Sequence, residues 1–149
     1  MTVIDYYKHT DIEISGFCKE YIFLSNFYSI PIWYEGVLYP SVENAYQAMK
    51  FNENERKPFC SISSSQAKKL GRTAKLNEMW DLKKVDIMSI LVFNKFCDSD
   101  LRSHLLKTGT KQLKELNHWN DIFWGVDYKT CKGENNLGKI LMATRRFWV

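Results

Sequence analysis

Three polar residues in the segment VENAYQAMKF, Glu43, Gln47 and Lys50, recur at i, i+4 and i+7. On a helix that spacing sets a carboxylate and an ammonium on one face, opposite Val42, Ala45 and Met49. Two readings stand. One is a solvated face, with Glu43 favoured by the positive end of the helix dipole. The other is an acid and an amine directed together into a cleft, where a carboxylate and a proton-exchanging amine suit acid–base or nucleophilic chemistry.

Other constellations are weaker. Asp121 and Asp127 flank Trp124, which either plugs the core or offers its ring for stacking on a base. GENNLGK at 133–139 has the G-x-x-x-x-G-K spacing of a P-loop, but Ile140 stands where magnesium ligation needs Ser or Thr. The preceding DYKTCK is no apolar strand. What survives is a Gly/Asn loop entering a helix, either a plain turn or a set of backbone N–H groups for a phosphate. Lys68, Lys69 and Arg72 cluster at a helix end, as a solvated face that complements the helix C-terminus or as a phosphate clamp. His9, His104 and His118 are scattered and form no Ser-His-Asp or Cys-His pairing.

The elements that must position these groups follow from pattern. Ile30–Tyr34 and Val37–Tyr39 around Glu35-Gly36 predict a tight hairpin. Pro40 ends it, Ser41 caps, and a helix runs over 42–52. Glu55–Cys60 predicts a short helical turn interrupted at Pro58. Ser63–Ser65 cap a helix through Leu70 that Gly71 stops. Asp81 opens the longest helix, apolar nearly all round and therefore expected to be buried. A further helix ends at Thr108-Gly109, and Leu137–Phe147 closes the chain as another. Weak strands are expected around Ile12–Ile14, at Tyr21–Leu24 and at Lys111–Leu116, with a loop over 121–136.

A chain of 149 residues without repeats or linkers predicts a single α+β, helix-dominated domain with a small hairpin or sheet. A net charge of +4 suits an anionic ligand and is too small to imply nucleic acid. Aromatics make up 15% of the chain, which serves either a bulky core or ring-stacking surfaces. Cys18, Cys60, Cys97 and Cys131 show no zinc-ligand spacing, so no metal is expected. The opening MTVIDYYKHT lacks the apolar core of a leader, and reduced thiols in a cytoplasmic protein are the expectation. The longest apolar run, Ile90–Phe93, is far too short to span a bilayer.

Seven segments in order resemble the YbiA-like, or NADAR, superfamily: FLSNFY (23–28), PIWYEGVLYPSVENAYQAMKF (31–51), AKKLGR (67–72), MWDLKKVDIM (79–88), LLKTGTKQL (105–113), DIFWG (121–125) and GENNLGKILMATR (133–145). The resemblance covers roughly residues 17–146. It implies an N-glycosidase without cofactor, acting on ribosyl phosphates of the early riboflavin pathway or removing ADP-ribose from guanine in nucleic acid. By motif match it implies catalytic roles for Glu43, Lys50 and Asp127, and substrate contacts from Trp80 and Trp124, with Asn26 and Phe27 of the FLSNFY segment beside them. Arg72, Asn135 and Asn136 become candidate phosphate contacts. Two departures stand out: Val126-Asp127-Tyr128 follows Gly125 where the family often has a second Gly and a D-G pair, and Asn44 replaces a frequent His, which bears on base specificity. Two rivals from other classes are a non-catalytic nucleotide or ADP-ribose binding module and a single-stranded nucleic-acid-binding protein that uses the aromatics.

Overall fold

The computed structural model describes residues 7–149, and the first six residues lie outside it. In chain order the elements are β1 (Lys8–His9), β2 (Glu13–Ser15), β3 (Ile32–Tyr34), β4 (Val37–Tyr39), α1 (Val42–Ala48), α2 (Ser64–Gly71), α3 (Trp80–Lys95), α4 (Ser99–Lys107), β5 (Gln112–Lys114), β6 (Leu116–Asn117), β7 (Val126–Asp127) and α5 (Asn136–Phe147). This is the expected α+β class with small sheets. The chain forms two compact units, 26–98 and a second that joins the N-terminal segment through Ser25 to 99–149.

In the unit 26–98, β3 and β4 pair antiparallel with Ile32 opposite Tyr39 and Tyr34 opposite Val37. Glu35 and Gly36 both have left-handed backbone, φ 50° and 78°, as a two-residue turn between right-twisted strands demands. Ser41 then caps α1: its Oγ accepts the Asn44 N–H at 3.1 Å and donates to Asn44 Oδ1 at 2.7 Å. The Asn44 amide also donates to the carbonyls of Phe59 and Ile62, both at 2.8 Å. All seven residues of α1 are buried, polar ones included. The solvated-face reading of this helix is therefore overturned.

Three further expectations for this unit are corrected. The α-helix ends at Ala48 rather than reaching residue 52, because the Lys50 and Phe51 N–H groups bond three residues back, to Gln47 and Ala48, in a tighter turn. Gly71 does not stop α2; it lies inside it, behind a capping box of Ser63 and Gln66. The long helix α3 is not buried all round: Leu82 and Ile90 are exposed, and burial falls on Trp80, Met88, Leu91, Val92 and Lys95. The short turn expected near Pro58 appears as 3-10 segments Glu53–Glu55 and Lys57–Cys60.

In the other unit β2 runs antiparallel to β1 and parallel to β5, with Ile14 opposite Leu113. β6 and β7 form a second parallel pair. The strand expected at Tyr21–Leu24 is instead a 3-10 helix, Lys19–Leu24, that buries Phe23 and Leu24. Lys19 enters it with φ 53°, a conformation that no strand continues. α5 lies along β5 and buries Leu137 and Leu141. The four cysteines are free thiols.

Candidate functional site

Within the unit 26–98, Glu43 sits at the first turn of α1 with only 7% of its surface exposed. Its backbone N–H donates to the Asn26 carbonyl at 3.0 Å, which ties the polar turn of FLSNFY to the helix start. Gln47, one turn on and equally buried, donates from Nε2 to Glu43 Oε1 at 2.9 Å. Asn26 itself donates to the Met88 sulfur at 3.4 Å, and its buried Oδ1 has no partner among the described residues.

Lys50 follows on the tightened turn. Its Nζ lies 5.4 Å from the Tyr46 ring centroid and 5.8 Å from that of Trp80, in range for cation–π attraction. Burial lowers the Lys50 pKa from the ordinary lysine value. The Glu43 carboxylate opposes that shift, while Lys84, Arg72 and Lys68 add to it as like charges. A half-buried amine thus stands among three other cations, a setting that favours an incoming anion.

Trp80 is 8% exposed and tilts against Tyr46 with centroids 5.4 Å apart. It forms a wall beneath Lys50 rather than an open stacking face. Phe27 is exposed, lies 5.8 Å from Lys68 Nζ, and accepts Ser64 Oγ on its carbonyl at 3.1 Å. Arg72 is exposed at the C-terminal end of α2. Glu43, Lys50, Asn26, Phe27, Arg72 and Trp80 thus all belong to one unit. Asn44 does too, but its donors and acceptor are engaged by Ser41, Phe59 and Ile62, which gives it a scaffold role.

The remaining candidates fall in the other unit, where backbone groups engage most of them. Asp121 Oδ1 accepts the N–H groups of Phe123 and Trp124 at 3.2 and 2.9 Å. Trp124 is half-buried, edge-on to Phe123 at 4.8 Å. Asp127 Oδ2 accepts from the Thr130 N–H, the Thr130 hydroxyl and the Lys129 N–H at 2.9 to 3.1 Å. Those bonds, the Thr130 backbone N–H first, hold its pKa below the usual carboxylate value.

The reading of the 135–138 loop as a backbone anion cradle is corrected. The N–H groups of Asn135, Asn136 and Leu137 already donate to the carbonyls of Gly125, Phe123 and Trp124. Asn135 also spends both ends of its amide on β5 and its flank: Oδ1 accepts the Glu115 N–H at 3.0 Å and Nδ2 donates to the Leu113 carbonyl at 2.9 Å. Asn136 Nδ2 donates to the Phe123 carbonyl at 3.0 Å.

Two residues went unassigned by sequence reasoning. Gln47 was visible only as one member of the Glu43 face. Lys95 carried no signal beyond its place at the end of an apolar helix, yet it is fully buried, with Nζ 5.6 Å from the Tyr28 ring and 5.3 Å from the Phe96 ring. Burial pushes its pKa down to about 7. Among the described residues no group of His, Cys, Asp and Glu is arranged to hold a metal ion. Nor is any helix among them long and apolar enough to cross a membrane.

The NADAR domain family model matches residues 6–147. A riboflavin biosynthesis protein of Vibrio vulnificus is 37% identical over 129 residues, 83% of this chain and 34% of that protein, so the chain spans about a third of its length. An N-glycosidase of Nostoc punctiforme is also 37% identical over 129 residues, covering 81% of each chain. N-glycosidase YbiA of Escherichia coli is 34% identical over 149 residues, 97% of this chain and 87% of that one. The NMR structure of Escherichia coli YbiA superposes with a TM-score of 0.81 at 31% identity, over 96% of this chain and 88% of the other. With a match through nearly its whole length, this chain belongs to the NADAR domain family.

Proposed function

We propose that the protein is an N-glycosidase, a hydrolase that breaks the bond between a ribose and a base nitrogen in a phosphorylated ribosyl or ADP-ribosyl substrate. The observation that carries this reading is a buried carboxylate, Glu43, held by an amide beside a desolvated amine, Lys50. The names of the Nostoc and Escherichia relatives support the reaction class, and that of the Vibrio relative supports a link to riboflavin biosynthesis, where a ribosyl phosphate is the first substrate to test. ADP-ribosylated guanine, free or in nucleic acid, presents the same ribose–nitrogen bond and is the second substrate to test. The family match runs through both units, and we read the whole chain as one YbiA-like domain working in the cytoplasm.

Cleavage builds positive charge on the sugar ring as the nitrogen leaves with the bonding pair and takes up a proton. Glu43 stabilises that charge through a low-dielectric surround and accepts the proton of the attacking water, whose oxygen joins the anomeric carbon. The lowered pKa of Lys50 favours a proton-exchanging or nucleophilic amine over a permanent phosphate clamp. The phosphate then falls to Arg72, with Lys68 and Lys84 near it, and Asn26 and Phe27 flank the sugar or base. Asp127, kept ionised by its turn, and Trp124 belong to the other unit, and the roles that the motif match implies for them are tested separately by substitution.

The test is incubation of purified protein with a 5-phosphoribosylaminopyrimidine, with an ADP-ribosylated guanine oligonucleotide and with NAD, followed by detection of free base and ribose product. Glu43→Gln is expected to abolish release while the fold persists. Wild-type turnover by that variant overturns the assignment. Ligand binding without product would favour the binding module, and affinity falling steeply with salt would favour the nucleic-acid binder.

A further inference from the structure

We infer that Gln47 and Gly71 are paired positioning residues, the glycine of α2 being the seat that locks the Gln47 amide with its donor end on Glu43. This rests on the reading of Glu43 as the acting carboxylate. Gln47 is buried, and its Nε2 hydrogen bond to Glu43 accounts for one end of the amide. Its Oε1 is also buried and has no hydrogen-bond partner among the described residues. A buried acceptor without a donor is unusual and costly. No hydrogen bond therefore anchors that end of the amide. Packing must.

The packing partner is Gly71. A β-carbon placed on it would collide with Oε1, Cδ and Cγ of Gln47 and with no other residue as closely. Gly71 lies within α2 and is not among the residues with left-handed backbone, so no conformational demand calls for glycine. Alanine is the better helix former there. What excludes a side chain is the Gln47 amide. Seated this way, the amide presents N–H and not oxygen to the carboxylate, and a donor to the charged form stabilises it. The same wedge fixes which way Glu43 points. Around this pair stand Lys50 on the same turn, Lys68 and Arg72 from α2, and Lys84 from α3. None of these is altered by changing Gln47 or Gly71, so a difference between variants isolates the amide.

The collision with Gly71→Ala involves only the far end of a flexible side chain, so the fold accommodates it and the amide is what moves. Gln47→Ala removes every atom that would collide. The experiment follows the Glu43 carboxyl by carbon NMR titration in the wild type, Gly71→Ala, Gln47→Ala and the double variant. It also measures turnover of a 5-phosphoribosylaminopyrimidine by each. The expected result is an upward move of the Glu43 titration midpoint in both single variants and a double variant identical to Gln47→Ala. Turnover should fall about tenfold in kcat in each single variant with KM unchanged and no further in the double, since the pair acts through one contact. An unmoved midpoint in either single variant, or additive effects in the double, overturns the inference. If Glu43→Gln leaves turnover intact, the glycosidase reading falls by itself, and the titration still decides the pair.

Discussion

The two units treat their polar side chains in opposite ways. In the unit 26–98, Glu43 and Gln47 lie on a helix whose first N–H groups are taken up by Asn26 and the Ser41 cap, so the two side chains meet each other across one buried turn. In the other unit, Asp121 and Asn135 sit in loops and Asp127 ends β7 at the start of a turn, and nearby backbone N–H and C=O groups capture their side chains. A carboxylate in a loop that folds on itself is consumed by its own turn. A carboxylate on a fully buried helix meets another side chain instead. By that measure the two units differ in what surrounds their acids: packed protein along α1 in one, backbone turns in the other.

The sharpest way to break this contrast is to change one acid from each unit. Glu43→Gln should lower kcat by about 10²–10⁴-fold, the usual worth of an acid–base group. Asp127→Asn should lower it by about tenfold at most, because an exposed carboxylate acts through a high dielectric. The reverse order in a steady-state assay would move the catalytic centre to the second unit. Lys50→Arg comes next: it keeps the charge but a guanidinium neither gives up its proton nor attacks as an amine, so turnover should drop about 10²-fold. Retained turnover would make Lys50 a plain anion contact.

Asn135→Ala probes the scaffold side. It removes two side-chain bonds to backbone and places Ala at φ 54°, so a loss of about 2 kcal/mol in chemical denaturation is expected, with the kcat of the folded fraction kept. The last prediction concerns the pH dependence of stability through Lys95. Its folded pKa near 7 lies below the value in the unfolded chain. From pH 7 up to the ordinary lysine value the unfolded state therefore binds more protons, and stability rises with pH by up to about 1.4 kcal/mol per unit. Below pH 7 both states carry the charge and this contribution is flat. Lys95→Met should flatten the slope in denaturation curves between pH 7 and 10.

Local signals in the chain were readable where they are self-contained. The Glu35-Gly36 turn, the Ser41 cap, the Ser63 capping box and the start of α3 each depend on a few adjacent residues. Legibility failed where a distant partner decides. Gly71 looks like a helix stop until Gln47 is known to lie against it. The apolar run of α3 implies burial, yet Leu82 and Ile90 face outward. Tyr21–Leu24 reads as a strand until Lys19 turns left-handed. At the site, pattern alone put Glu43 and Lys50 on a shared face but left open whether water or protein covered it. The side-chain work of Asn135 and Asp127, by contrast, depends on turns that no spacing announces.

The pairing of Ile14 with Leu113 has a further consequence for how the chain is assembled. The unit 26–98 is continuous, so all its internal partners have left the ribosome once residue 98 has emerged. Among the described residues β2, made earlier, has no strand partner but β1 until β5 has been made. The N-terminal segment must therefore wait, its parallel edge open, while the middle of the protein folds ahead of it.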